Sequence, residues 1–284
     1  MIVDLHTHLG ELAVHIDEGF VAEAQAAWGG ELRLGRTPEQ HYEETKAADR
    51  VVALGLRAPA SGWDVPNDYV AAYIARDPER LIGFGSVDPS DPGAPDELER
   101  MKHDLGLRGC KLGPIYQHAD PLGPGFLRVC ETLERLELPM LIHQGTTFVR
   151  AGPLAYARPI LLDEIARRFP KLVIVIAHMG HPWIEEVVAV VRKHPNVYAD
   201  VSALHPRPWQ LYQALLCAVE YRAERKLLFG SDYPFFTAEE TMRGLRAVND
   251  VIAGSGLPRI PETVIDEIIH SATLELLRIG GPSV

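Results

Sequence analysis

The chain has 284 residues, enough for one α/β barrel of ordinary size or two average domains. Hydrophobic residues make up 46% and charged residues 24%, so a large core is within reach. The net charge of −11 argues against nucleic acid and anionic membranes as partners, but not against a small-molecule substrate, even an anionic one.

Cys110, Cys130 and Cys217 are odd in number and carry no Cys-x-x-Cys spacing, which suits free thiols in a reducing compartment. The first residues read as a strand rather than a basic n-region, and no long apolar run follows. The expectation is a cytoplasmic protein without a cleaved leader. A homodimer is the default assembly.

Eight strand-like runs recur along the chain, at 2–5, 50–54, 81–87, 107–112, 139–143, 172–178, 196–201 and 226–230. They are continuously apolar rather than alternating, as in parallel strands covered on both faces. Helical periodicity lies between them: Phe126, Val129, Cys130 and Leu133 fall at i, i+3, i+4 and i+7, as do Ile184, Val187, Val188 and Val191. The same spacing joins Tyr212, Leu215, Leu216 and Val219. Eight such alternations predict a (β/α)8 TIM barrel forming a single domain over 1–284. A doubly wound sheet is the alternative, but no strand is followed by Gly-x-Gly-x-x-Gly.

The segment 9–36 is too long for a simple connection. Ile16, Phe20, Ala24 and Trp28 repeat every four residues after the N-cap candidate Asp17, which predicts a short inserted helix over the barrel mouth. A further helix is expected over 38–48. Val264, Ile268 and Ala272 predict a closing helix.

Chemistry-bearing residues cluster at the predicted strand ends. His6 and His8 are two apart on a strand and share a face with Asp4, making half of a divalent-metal site. Lys111 ends the fourth run, His143 the fifth and His178 the sixth, and Asp232 follows the eighth. In a (β/α)8 barrel these ends meet on one rim. Each residue has a plainer reading. The histidines could be satisfied strand ends, Asp232 a turn former and Lys111 a lysine reaching for water. All of these plain readings would have to hold together at one rim. His41, among the histidines outside this pattern, reads as a surface or supporting residue. His181 and His205 follow strands and read as surface residues that could touch substrate.

This set resembles the amidohydrolase superfamily. The stretches Leu141-Ile142-His143-Gln144-Gly145, Ile176-Ala177-His178-Met179-Gly180 and Phe229-Gly230-Ser231-Asp232-Tyr233-Pro234 are similar to its branch that includes aminocarboxymuconate semialdehyde decarboxylase and γ-resorcylate decarboxylase. The resemblance implies metal ligands at His6, His8, His143 and Asp232, a catalytic proton-handling role for His178, and one divalent ion; Asp232, touching the ion, can accept the proton of a metal-bound water. Zinc comes first, with manganese, iron or cobalt as alternatives. Lys111 would bind a substrate carboxylate or oxyanion; in branches with two ions the lysine at this place is carboxylated, so a second metal stays an open alternative.

Arg150, Arg158, Trp183 and Tyr233 are candidate substrate contacts. The leading expectation is hydrolysis of a small, carboxylated substrate by a metal-activated water. Non-oxidative decarboxylation is the alternative within the branch. A non-catalytic metal-binding barrel is a third reading, and a Schiff-base aldolase acting through Lys111 a fourth.

Overall fold

A computed structural model describes residues 1–29 and 32–280 of the chain. Gly30 and Glu31 of the predicted insertion, and the last four residues of the predicted domain, lie outside the described residues.

The eight apolar runs form eight parallel strands: β1 Val3–His8, β2 Arg50–Leu54, β3 Leu81–Gly85, β4 Gly109–Leu112, β5 Met140–Ile142, β6 Ile174–Ile176, β7 Val197–Asp200 and β8 Leu227–Leu228. They pair in chain order. The ends of the sheet meet through Leu5 N–H to Phe229 O (3.1 Å), Asp232 N–H to His6 O (2.8 Å) and His8 N–H to Tyr233 O (2.6 Å). The result is a (β/α)8 barrel.

Most strands are shorter than their apolar runs, because a run also covers the turn that re-enters the core. β1 is longer and carries both of its histidines. A small antiparallel hairpin, Arg57–Ala58 with Trp63–Asp64, has no counterpart in the periodicity.

Two cores stabilise the barrel. The interior one stacks Leu5, Val52, Phe84, Leu141, Val175 and Leu228, and the C-terminal residues Leu277 and Ile279 join it. The larger core lies between the strands and the surrounding helices. There the predicted apolar faces are used: Pro124–Arg135 buries Phe126, Val129, Cys130 and Leu133, and Ile184–Lys193 buries Ile184, Val187, Val188 and Val191. Gly109 is required where β4 passes β3, since a Cβ there would lie 2.5 Å from the Phe84 ring.

The insertion forms a helix, Glu18–Trp28, capped by Asp17, whose carboxylate accepts from Phe20 N–H at 2.8 Å. Its Phe20 packs edge-on against Trp63 and Phe148, and Trp28 meets Phe236 and Phe235. The helix therefore sits over the strand ends as a lid. The next helix, Pro38–Glu44, is held by a Thr37–Gln40 capping box and stops four residues before the expected end. The predicted closing helix ends at Ile269, and a separate turn, Thr273–Leu276, follows.

His41 is fully buried, not at the surface. Its partners fix one tautomer: Tyr73 O–H donates to Nδ1 (2.7 Å), and Nε2–H donates to Thr7 Oγ1 (3.0 Å), which donates to Val52 O (2.7 Å). Burial pushes the His41 pKa down from 6.5 to about 3, with Arg80 adding to the shift. The unfolded chain therefore takes up this proton first as pH falls. The stability from neutral His41 is complete above about pH 6.5 and is lost towards pH 3. Urea denaturation across that window is expected to show a shallower acid slope in His41→Gln than in the wild type. The difference should approach one proton, about 1.4 kcal/mol per pH unit. Equal slopes would show that His41 is not held neutral.

Candidate metal centre

The strand ends and the loops that follow them carry the titratable groups into one cavity of about 410 Å³. At its floor, His6 Nε2 lies 3.2 Å from His8 Nε2 and 3.4 Å from Asp232 Oδ1, and His8 Nε2 lies 3.6 Å from the same oxygen. Ligand atoms about 2.0–2.1 Å from a tetrahedral ion are separated by roughly 3.3–3.4 Å, so this triangle has the dimensions that such an ion requires. Lys111 Nζ approaches His6 Nε2 at 2.9 Å. The atoms of His6, His178 and Asp232 that could bind an ion also lie within 4.8 Å of one another.

Asp200 sets the orientation of this floor. It ends β7, and its Oδ2 accepts from His6 Nδ1–H at 2.9 Å. Its Oδ1 accepts from His178 N–H (2.9 Å), Ser202 N–H (3.1 Å) and the Ser202 hydroxyl. With its proton on Asp200, Ser202 Oγ accepts from His178 Nδ1–H at 2.8 Å. One buried carboxylate thus fixes the tautomers of two histidines and leaves both Nε2 atoms unprotonated, that of His6 facing Lys111 Nζ.

The bond from Asp200 to the His178 peptide also explains a departure from the expected strand. β6 stops at Ile176, and His178 (φ 54°, ψ 29°) and Met179 (φ 44°, ψ 34°) turn through the left-handed region. Asp232 is left-handed as well, at φ 68°. Side chains avoid this region unless their surroundings hold them there, and such residues concentrate at functional sites.

Burial keeps the imidazoles neutral. It holds His6, His8 and His178 well below 6.5 and brings His143 to about 4; Lys111 adds to the effect at His6, His8 and His143. Neutral imidazole is the form that binds metal. Burial also lowers Lys111 to about 8 and raises the Asp232 carboxyl well above its ordinary range, while attraction between the two opposes both shifts. Asp4, expected to point at the metal site, instead accepts from Ser231 N–H at 2.9 Å and His6 N–H at 3.3 Å. Burial outweighs those bonds and raises its pKa to about 7. The donor set fits a divalent cation: two neutral imidazole nitrogens and a carboxylate oxygen converge with their lone pairs facing one another.

The remaining residues sort by position. His143 lines the cavity, its ring packed against Tyr116 and His178, with Nε2–H donating to Thr146 O at 3.0 Å. Neither Arg150 nor Trp183 lines it. Arg150 is exposed and its peptide N–H bonds Glu23, while Trp183 lies under the Arg158 guanidinium, itself paired with Glu186. Tyr233 turns away to donate to Glu44 at 2.9 Å. His181, read as a surface residue, reaches the cavity wall, where burial lowers its pKa to about 4. Asp200, Ser202, Tyr116 and Arg207 escaped the sequence reading. The pair Asp200 and Ser202 could have been found, since they stand two apart at the end of the seventh strand, as His6 and His8 do on the first.

A parallel barrel with histidines and an aspartate converging on its C-terminal rim is the architecture of the amidohydrolases. The amidohydrolase family model matches residues 3–279, and the chain belongs to this family, in the branch that includes decarboxylases. It is 24% identical over 254 residues to 2-amino-3-carboxymuconate-6-semialdehyde decarboxylase of Dictyostelium discoideum, covering 78% of this chain and 71% of that protein. It is 23% identical over 214 residues to γ-resorcylate decarboxylase of Rhizobium sp. (strain MTP-10005), covering 60% of this chain and 64%, less than two thirds, of the relative.

Among solved structures, an uncharacterised TIM-barrel protein from Bordetella bronchiseptica superposes with a TM-score of 0.74 at 22% identity, over 98% of both chains. A dihydroxybenzoic acid decarboxylase from Polaromonas sp. JS666, with bound manganese and 2-nitroresorcinol, gives 0.66 at 17% identity over 99% and 97% of the two chains. Among the described residues no helix is long and apolar enough to cross a membrane.

Replacing Asp200 by Asn removes the acceptor charge from His6 Nδ1–H and frees the imidazole to turn. Affinity for Mn²⁺ or Zn²⁺, measured by calorimetric titration of the purified protein, is expected to fall about 10- to 100-fold. Unaltered affinity would show that Asp200 does not orient the ligand set.

Proposed function

We propose that this protein is a metal-dependent carboxy-lyase that removes CO₂ from a small, planar, unsaturated carboxylic acid. The observation that carries the reading is the cavity itself, in which the His6–His8–Asp232 triangle and Lys111 lie beneath walls that include Phe20, Trp63, Tyr116 and Phe148. Such walls suit a flat ring or conjugated chain. The relatives named as decarboxylases support this reading over hydrolysis, the leading expectation from the sequence.

His6, His8 and Asp232 would hold the ion, with His143 as the further ligand implied by family resemblance. When bound, a divalent ion supplies positive charge that anchors substrate oxygens and stabilises the negative charge developing during C–C cleavage. Manganese in the Polaromonas neighbour and zinc from the ligand type are the leading candidates.

The chain's own groups do the rest. Lys111 Nζ donates to a substrate oxyanion. His178, anchored through Nδ1–H on Ser202, presents Nε2 to accept a hydrogen bond from a substrate hydroxyl. As the carboxylate carbon departs as CO₂, the bonding pair stays on the substrate carbon. Asp232 Oδ1 faces the histidines, which leaves Oδ2 to hold the proton that replaces CO₂. The lid rings of Phe20 and Trp28 keep water from competing for that proton donor. One proton is consumed for each CO₂ released.

The metal-loaded protein, offered hydroxybenzoates, conjugated dicarboxylates, lactones and amides, is expected to release labelled CO₂ from carboxyl-labelled acids. In D₂O it should place deuterium at the vacated carbon. His178→Asn and Asp232→Asn are expected to lower kcat by about 10²- to 10⁴-fold. Turnover of lactones or amides without CO₂ would make the protein a hydrolase.

A further inference from the structure

Tyr233 follows Asp232 in the chain, and its side chain stays out of the cavity. Its peptide belongs to the seam between β1 and β8: Tyr233 O accepts from His8 N–H at 2.6 Å, and Tyr233 N–H donates to Ser231 Oγ at 3.1 Å. The ring is buried edge-on to His41, with centroids 5.1 Å apart, and the hydroxyl beyond it donates to Glu44 Oε2 at 2.9 Å. Glu44 ends the helix Pro38–Glu44, three residues after His41 and on the same helix face. The oxygen that takes the phenol proton also accepts from Arg36 Nε at 3.3 Å, and Arg36 N–H bonds Gly10 O at 2.7 Å.

These contacts form a strut around two of the proposed metal ligands. One end is Gly10, two residues beyond His8, and the other is Tyr233, one residue beyond Asp232. The strut spans the 3.6 Å approach of His8 Nε2 to Asp232 Oδ1. Asp232 needs such support, since its backbone is left-handed at φ 68° and a side chain stays in that region only where its surroundings hold it. Rotation of the turn at 232–233 would swing the phenol off His41 and pull its hydroxyl from Glu44. Glu44 is itself outside the cavity, with its side chain 41% exposed, so a change there reaches the ligands through Tyr233 and Arg36.

We propose that Glu44 is a positioning residue of the metal centre: by holding the Tyr233 hydroxyl it fixes the left-handed turn that aims Asp232 Oδ1 at His6 and His8. The assignment rests on the reading of His6, His8 and Asp232 as metal ligands, and not on the carboxy-lyase reaction. A bond that only satisfied a buried phenol would affect folding and leave metal binding as it was.

The test is calorimetric titration of the chelator-treated, full-length protein with Mn²⁺. Tyr233→Phe, which removes one oxygen and keeps the buried ring, is expected to weaken Mn²⁺ binding by about 3- to 10-fold, part of what a hydrogen bond to a charged group supplies. Glu44→Ala should do the same. The double variant should bind no more weakly than either single one, because all three lack the same bond. Glu44→Gln keeps an acceptor oxygen and should recover most of the affinity. Thermal melts without metal establish that each variant is folded; if Glu44→Ala is not, Tyr233→Phe and Glu44→Gln decide.

Mn²⁺ affinity unchanged in folded Tyr233→Phe overturns the assignment, even if its melting temperature falls. Losses that add in the double variant overturn it too, since the two residues would then act separately. A wild type that binds no Mn²⁺ overturns the metal reading and this assignment with it, whereas a wild type that binds and variants that match it reject the strut alone.

Discussion

The site depends on the seam where the first strand meets the eighth. Asp232 N–H bonds His6 O, His8 N–H bonds Tyr233 O, and Ser231 N–H bonds the Asp4 carboxylate across 227 residues of chain. These bonds close the barrel and, in the same geometry, bring Asp232 Oδ1 within 3.6 Å of both histidine Nε2 atoms. Barrel closure and assembly of the cluster are therefore one event. A sheet left open at this edge would keep both histidines but lose the carboxylate that faces them.

Inside the closed barrel, burial governs the chemistry. Removing water raises Asp4 to about 7, lowers Lys111 to about 8 and keeps the surrounding imidazoles neutral. A group taken out of water is tolerated when its hydrogen bonds are satisfied, and Asp200 shows how. It accepts from a ring N–H, two peptide N–H groups and a hydroxyl, all supplied by β1, the turn after β6 and the loop after β7. The left-handed backbone at His178 is one consequence, since its peptide leaves the strand ladder to reach that carboxylate.

The lid contributes bulk rather than acid–base groups. Phe20 and Trp28 pack at the mouth against Trp63, Phe148 and Phe235, so aromatic faces line the approach to the floor. Trp28 also fixes the Arg207 guanidinium. The insertion thus links the opening of the cavity to a cavity-lining arginine. The hairpin Arg57–Ala58 with Trp63–Asp64 belongs to the same structure, because it delivers Trp63 both to the lid and to the His8 ring.

The sequence by itself determined the eight buried strands, the apolar faces of the main helices and the capped helix of the insertion. Each is a local pattern of period and cap, readable without knowing what the segment packs against. It also placed His6, His8, His143, His178, Lys111 and Asp232 at strand ends; the barrel brings the last five to one cavity and sets His6 behind them, against His8 and Lys111. Only the tertiary structure decided that Asp200, 194 residues from His6, would orient its ring, that His41 would be buried, and that Arg207 rather than Arg150 would reach the cavity. A side chain after a strand points inward or outward according to the turn that carries it and the lid that packs on it. Both are set by contacts between distant segments, which no local period encodes.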